Sequence, residues 1–192
     1  MTVYDAVKNR RSVRSFSDKA IAADVLEKMK QVLRYAPSAC NLQPWRFVIV
    51  TDPKLRGGLA KASCDQLWMA QAPVIVVACG FADQAYKKMG GRGNSIDIDL
   101  AIALDHLTLA AVEEGLGTCW IGAFREEEVK SLLNVPGNVK VVAMIPLGYP
   151  ATAMELRKVE TNETAFRKRA TQIVSKIKQT IHAEAHHPAI QK

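Results

Sequence analysis

Three stretches of the chain hold residues of the kinds that bind and orient small molecules. The first is Arg10-Arg11-Ser12-Val13-Arg14, which puts three guanidinium groups and a hydroxyl within five residues. Arginine offers paired donors in a planar fork and serine adds a short one, so together they can surround a phosphate. A solvated basic loop is the competing reading of the same residues. The second is Ala36-Pro37-Ser38-Ala39-Cys40-Asn41-Leu42-Gln43-Pro44-Trp45. Its prolines fix the backbone, and Asn41 and Gln43 each carry a donor and an acceptor, the complement of a heterocycle edge. A tight helix-to-strand turn would use these residues equally well. The third runs from Gly115 to Phe124 as G-L-G-T-C-W-I-G-A-F. Gly122 there either lets a backbone N–H approach a flat ligand or simply ends a strand.

Other chemistries find less support. Cys40 has no histidine near it in sequence to act as a base. Asp97, Asp99 and Asp105, with His106, are explained by the start of a helix and its macrodipole, and no metal site is expected. His182, His186 and His187 fall in a terminal segment before Pro188 and read as tail. Gly115-Leu116-Gly117 follows a helix and precedes a strand, the reverse of the dinucleotide fingerprint, and lacks its third glycine. Gly90-Gly91-Arg92-Gly93 is not followed by Lys-Ser/Thr, so it is no P-loop. The glycine-flanked loop over residues 84–94, with Tyr86, Lys87, Lys88 and Arg92, is either a lid that selects substrate or an exposed loop without a role.

The elements that must position these residues follow from spacing. Thr2-x-x-Asp5 is a capping pattern, so a short helix runs to about Asn9. Val25, Leu26, Met29, Val32 and Leu33 mark a second helix ending near Ala36-Pro37. Phe47–Val50 reads as a strand, and Asp52-Pro53 opens a third helix. Residues 74–79 are apolar without alternation, as in a strand buried on both faces. From Ile96 to Glu114 the chain is a long helix apolar nearly all round, either central or in a subunit interface, and Gly115 ends it. Short strands at Thr118–Ile121 and Val139–Ile145 flank a helix that starts at Glu126. A basic helix is expected over 163–183, with Arg167, Lys168, Arg169, Lys176 and Lys178 on a solvated face or against a partner subunit.

Composition limits the classes. The chain has 192 residues, 48% hydrophobic and 23% charged, which is ordinary globular composition. At this mass about 70% of the unfolded surface is buried on folding, enough for one domain without disulfide or metal staples. The longest apolar run, Pro73–Ala82, is about half of what a membrane span needs. Charges at Asp5, Lys8, Arg10 and Arg11 occupy the place of a signal-peptide core. Four scattered cysteines without a C-x-x-C pair fit reduced thiols and a cytoplasmic location. The net charge of +7 admits nucleic acid, an acidic membrane or a phosphorylated ligand. With aromatics at 6% and the basic residues spread over the two ends, nucleic-acid binding is disfavoured, and neither nucleic acid nor membrane is expected as a partner.

Taken in order, R-R-S-x-R, A-P-S-x-x-N-x-Q-P-W, the long apolar helix, G-L-G-T-x-W-I-G and Ile145-Pro146-Leu147-Gly148-Tyr149-Pro150 resemble the FMN-dependent nitroreductase family, over roughly residues 1–160. The resemblance implies an α+β fold, a three-layer α/β/α sandwich with a mostly antiparallel central sheet, built as an intertwined homodimer with FMN at the subunit interface. It implies an FMN-binding domain over 1–162, with 163–192 as a C-terminal helix and tail of the same domain. Arg10, Arg11, Ser12 and Arg14 would hold the FMN phosphate, ribityl chain and pyrimidine edge, with Arg14 tuning the flavin. Pro37, Ser38, Ala39 and Asn41 would reach the same flavin from the partner subunit. Trp120, Ile121 and Gly122 would line the ring, and Arg157, with Lys158 as competitor, would return to the phosphate. Hydride would pass from NADH or NADPH through the flavin to nitroaromatic, quinone or related electrophilic acceptors, with Tyr86 and Lys87 as lid. The alternatives are reductive dehalogenation, flavin fragmentation or substrate dehydrogenation on the same scaffold, and, further off, a non-enzymatic flavin-binding or nucleic-acid-binding module.

Overall fold

The first helix, α1 (Val3–Asn9), is set by its capping box: the Thr2 hydroxyl accepts from the Asp5 N–H, and the Asp5 carboxylate accepts from the Thr2 N–H. The computed structural model describes residues 1–91, 93–152 and 175. The chain divides into two units, Met1–Met154 and Glu155–Lys192, and every element named below belongs to the first. Arg92, Arg157, Lys158, the expected 163–183 helix and the histidine tail lie outside the described residues.

After α1 come α2 (Ala23–Arg34), a single 3-10 turn at Ala39–Asn41, β1 (Trp45–Val50) and α3 (Pro53–Ala62). Asp52 caps α3 by accepting from the Leu55 N–H, and Pro53 sits in its first turn. A second 3-10 turn, Leu67–Gln71, leads into β2 (Val74–Phe81). Then follow α4 (Ile96–Glu113), β3 (Gly117–Thr118), α5 (Glu126–Leu133) and β4 (Val139–Gly148). Gly115 takes φ +71° just beyond α4, the left-handed stop expected of it. The Leu67–Gln71 turn carries no periodic signal in the sequence. The regular part of β3 is also shorter than expected, because beyond Thr118 only Ile121 pairs, with Met144.

The four strands form an antiparallel sheet in the order β1-β2-β4-β3. In β2, Val74, Val76 and Ala78 face one core with α2 and α4, while Ile75, Val77 and Cys79 face a second core with α3, the Leu67–Gln71 turn and α5. An apolar layer on each face is why β2 reads as an unbroken hydrophobic run. The arrangement is the expected three-layer α+β sandwich. In β4 the parity switches: Val139 and Val141 face the second core, whereas Ala143, Ile145 and Leu147 face the first. A bulge opposite Ala78 and Cys79 adds the residue that turns the strand over. The Val141 N–H beside it donates to the Glu126 carboxylate at 2.9 Å, so α5 satisfies an amide near the irregularity.

Beyond β3 the sheet is extended by the basic segment. Ser12 bridges Thr118 in parallel, the Val13 N–H donates to the Thr118 carbonyl at 2.8 Å, and Phe16 bridges Pro150. Val13 and Phe16 are buried while Ser12 and Arg14 are exposed, so the segment turns its apolar residues inward.

Candidate active site

The Ser12–Thr118 bridge brings the first and third motif stretches together on one edge of the sheet. Two features of the sequence make this approach possible. The alternation Ser12-Val13-Arg14 points only Val13 into the fold, and Gly117 leaves the room that Val13 fills. A Cβ on Gly117 would lie 2.6 Å from Val13 Cγ2 and 2.8 Å from its Cβ. Gly117 is therefore the glycine this edge cannot replace, whereas Gly122 would meet nothing nearer than the Trp120 indole nitrogen at 3.8 Å. Open space over Gly122, next to an exposed Trp120, is the setting in which a flat ring can lie close to the backbone.

The arginines differ in their commitments. Arg11 Nη1 donates to the carbonyls of Lys8 (2.7 Å) and Arg10 (2.8 Å), so its guanidinium serves the C-terminal end of α1. Neither Arg10 nor Arg14 makes a side-chain hydrogen bond or ion pair with another described residue. With Ser12 between them, they offer unspent donors to an anion. Ile121 is committed within its own chain. Its side chain is buried in the second core, and its N–H and C=O are both taken by Met144 at 2.9 and 3.0 Å. Trp120 and Gly122 on either side of it are exposed.

The second stretch lies elsewhere in the chain. Pro44 accepts from the Phe81 N–H, and Trp45 pairs with Gly80, so the 36–44 turn enters the sheet at β1, on the far edge and at the opposite end. Thr118 stands across from Leu147, which stands across from Val74, six residues before Gly80. With strands about 4.8 Å apart and residues rising about 3.4 Å, four strand steps and six residue steps separate the two regions by roughly 28 Å. One chain does not bring them to one ligand.

At that far corner the turn has a local structure that the sequence hinted at only through its amides. Cys40, Asn41 and Gln43 all take left-handed φ values, 52°, 54° and 49°. Non-glycine residues hold such backbone at a cost of about 1–3 kcal/mol each and need fixing partners. Within the turn, the Gln43 N–H donates to Ser38 Oγ at 2.9 Å and Gln43 Nε2 donates to Asn41 Oδ1 at 2.9 Å. From outside it, Asp99 of α4 accepts from the Ala39 N–H at 3.0 Å. In sequence Asp99 is no more than a helix-start carboxylate. Its neighbour Asp97 pairs with Lys140 at 2.7 Å, and no group of metal-ligating side chains occurs among the described residues. Tyr86 belongs to the same corner, since its carbonyl accepts from Ser95 N–H at the start of α4; Lys87 follows it and is exposed.

Comparison with known proteins establishes the family. The family model described as "Nitroreductase family" matches residues 7–68 and 62–149. This chain belongs to the nitroreductase family. Among its relatives, the FMN reductase [NAD(P)H] of Bacillus subtilis is 29% identical over 164 residues, covering 78% of this chain and 66% of that protein. The iodotyrosine deiodinase of Thermotoga neapolitana is 29% identical over 174 residues, covering 77% of this chain and 88% of that protein. A nitroreductase family protein from Clostridium difficile 630, solved by crystallography, superposes with a TM-score of 0.76 at 27% identity, covering 86% and 92%. As a member of the nitroreductase family, the chain therefore shares its fold across the described unit.

Proposed function

We propose that this chain is a homodimeric, NAD(P)H-dependent FMN oxidoreductase that reduces small electrophilic acceptors such as nitroaromatics and quinones, in a ping-pong cycle through one site. The observation that carries this reading is the Ser12–Thr118 bridge, which sets the segment carrying the uncommitted Arg10 and Arg14 against the strand that leads on to Trp120 and the open backbone at Gly122. These residues fit FMN: a phosphate takes charge-assisted bonds from Arg10 and Ser12, and a flat ring takes the face beside Trp120. Arg14 would place positive charge at the pyrimidine edge, which stabilises negative charge there and favours two-electron chemistry. Bound FMN would supply hydride acceptance and delivery, so no side-chain nucleophile is needed.

The roughly 28 Å between the two corners gives the homodimer its reason. In a two-fold pair, Pro37, Ser38, Ala39 and Asn41 of each chain would serve the flavin held by the other, with Tyr86 and Lys87 as lid. Exposed apolar side chains support such a pair: Val3, Tyr4 and Val7 on α1, Tyr35 after α2, and Ile98 on α4. A groove of about 380 Å³ runs between α1, α2 and α4, past Val3, Val32, Tyr35 and Leu109. This outward stripe accounts for α4 being apolar nearly all round. The four unpaired cysteines support a cytoplasmic location.

Purified protein should be yellow, with about one FMN per chain, and Arg10→Ala or Ser12→Ala should lose it. Mixing with NADH or NADPH under anaerobic stopped flow should bleach the flavin, and a nitroarene should restore its colour. A colourless protein that cannot be reconstituted with FMN would overturn the proposal. The likeness to a deiodinase favours one second reading, reductive dehalogenation on the same scaffold. Iodide release from an iodinated phenol, with the nitroarene left unreduced, would put that reading first.

A further inference from the structure

Asp99 is 2% exposed, in the first turn of α4, and both its carboxylate oxygens are occupied. Oδ1 accepts from the Ala39 N–H at 3.0 Å, and Oδ2 accepts from the Ser95 hydroxyl at 2.6 Å. A buried carboxylate is costly unless every oxygen finds a donor, so these two bonds are what make the position tenable. Ser95 is itself informative. It stands at the N-cap of α4, where a serine ordinarily accepts from an amide of the first turn, yet here it makes no such cap. Its hydroxyl is turned to Asp99, and Asn94 Oδ1 accepts from the Ile96 N–H instead. Two residues at the start of α4 are thus given over to holding one amide of the 36–44 turn. That amide immediately precedes Cys40 and Asn41, the consecutive left-handed residues. The other side-chain hydrogen bonds of the turn close on its own residues, so Asp99 is the side chain that fixes it to a rigid element.

We infer that Asp99 is a positioning residue of the flavin site: it latches the Ala39–Gln43 turn to α4 in the shape that meets the ring, and it acts on the site of the opposite subunit. This rests on the flavin and homodimer reading above. Truncating Asp99 frees the Ala39 N–H, and the left-handed pair then relaxes toward ordinary backbone, withdrawing Ala39 and Asn41 from the ring. Asparagine at the same place can still accept from the Ala39 N–H while its amide faces the Ser95 oxygen, which can rotate to accept.

The test uses the intact dimer. Asp99→Ala should weaken FMN binding at least tenfold, read by flavin fluorescence, and shift the flavin midpoint potential. Asp99→Asn should keep both within about threefold of the starting protein, a range set by substituting a neutral hydrogen bond for a charged one. Heterodimers are then assembled from one Asp99→Ala chain and one Arg10→Ala chain, carrying different affinity tags. Action across the interface puts both lesions in one site and leaves the other intact, so the heterodimer binds one FMN at the original affinity although each homodimer is impaired. Two impaired sites in the heterodimer would overturn the inference, because Asp99 would then act within its own subunit or on the fold as a whole. FMN affinity and potential unchanged in Asp99→Ala would also overturn it. Failure of the underlying reading looks different, since Arg10→Ala would then leave flavin content untouched.

Discussion

Gly117→Ala measures how closely the basic segment is held against β3. A Cβ at this position would sit 2.6 Å from Val13 Cγ2, 2.8 Å from Val13 Cβ and 3.0 Å from Cγ1. Rotating Val13 about χ1 moves its methyl groups but leaves its Cβ in place, so a rotamer change cannot relieve the contact. Reaching an ordinary carbon–carbon separation of about 3.6 Å requires the backbone of residues 12–14 to retreat by roughly 0.8 Å. The retreat strains the 2.8 Å bond from the Val13 N–H to the Thr118 carbonyl. Overpacking of this kind costs about 1–3 kcal/mol, and at about 2–4 °C per kcal/mol for a domain of this size, a 2 kcal/mol loss lowers Tm by roughly 4–8 °C. The same movement would carry Ser12 and Arg14 away from the proposed FMN. Loss of one charge-assisted bond, about 1.5–3 kcal/mol, raises the Kd for FMN about 10- to 100-fold. Thermal unfolding of the apoprotein and FMN titration of the refolded protein read the two effects separately. Gly137→Ala is the control, because a Cβ there meets nothing within 4 Å. If Gly117→Ala matched that control in both Tm and FMN affinity, the close approach would have no consequence and the reasoning would fail.

Two further substitutions probe the scaffold. Gly57 lies inside α3, and a Cβ added there meets nothing within 4 Å, so Gly57→Ala should raise stability by about 0.5–1 kcal/mol in urea unfolding without altering FMN content. A destabilised variant would refute that. For Glu126, partial burial raises the carboxyl pKa, but the Val141 N–H and Lys130 more than offset it and hold the group below its ordinary 4.5. A depressed folded pKa means the stabilisation is complete above the unfolded value and is lost as pH falls through the folded one. The Tm difference between the starting protein and Glu126→Gln should therefore be constant above about pH 5 and shrink below about pH 4; a gap that widened in acid would contradict the assignment.

Local signals carried most of the elements. The Thr2 capping box, Asp52 before Pro53, the unbroken apolar run of β2 and Gly115 at the end of α4 each act within a few residues, so the sequence alone was enough to place them. The order of the three motif stretches likewise sufficed to indicate the family. Tertiary structure decided which residues of those stretches are available. Arg11 is drawn back to the carbonyls at the end of α1, and Ile121 is spent on the core and on Met144, because both outcomes depend on neighbours brought in by the fold. Gly117 mattered more than Gly122 to the architecture for the same reason: only pairing with the Ser12 segment puts Val13 against it. Asp99 looked like one of several acidic residues at a helix start until the fold placed Ala39, 60 positions away in sequence, at its carboxylate. Strand order, which no local pattern encodes, put the first and third stretches on one edge and the second at the opposite corner. That separation is the reason the proposed flavin site calls for two chains.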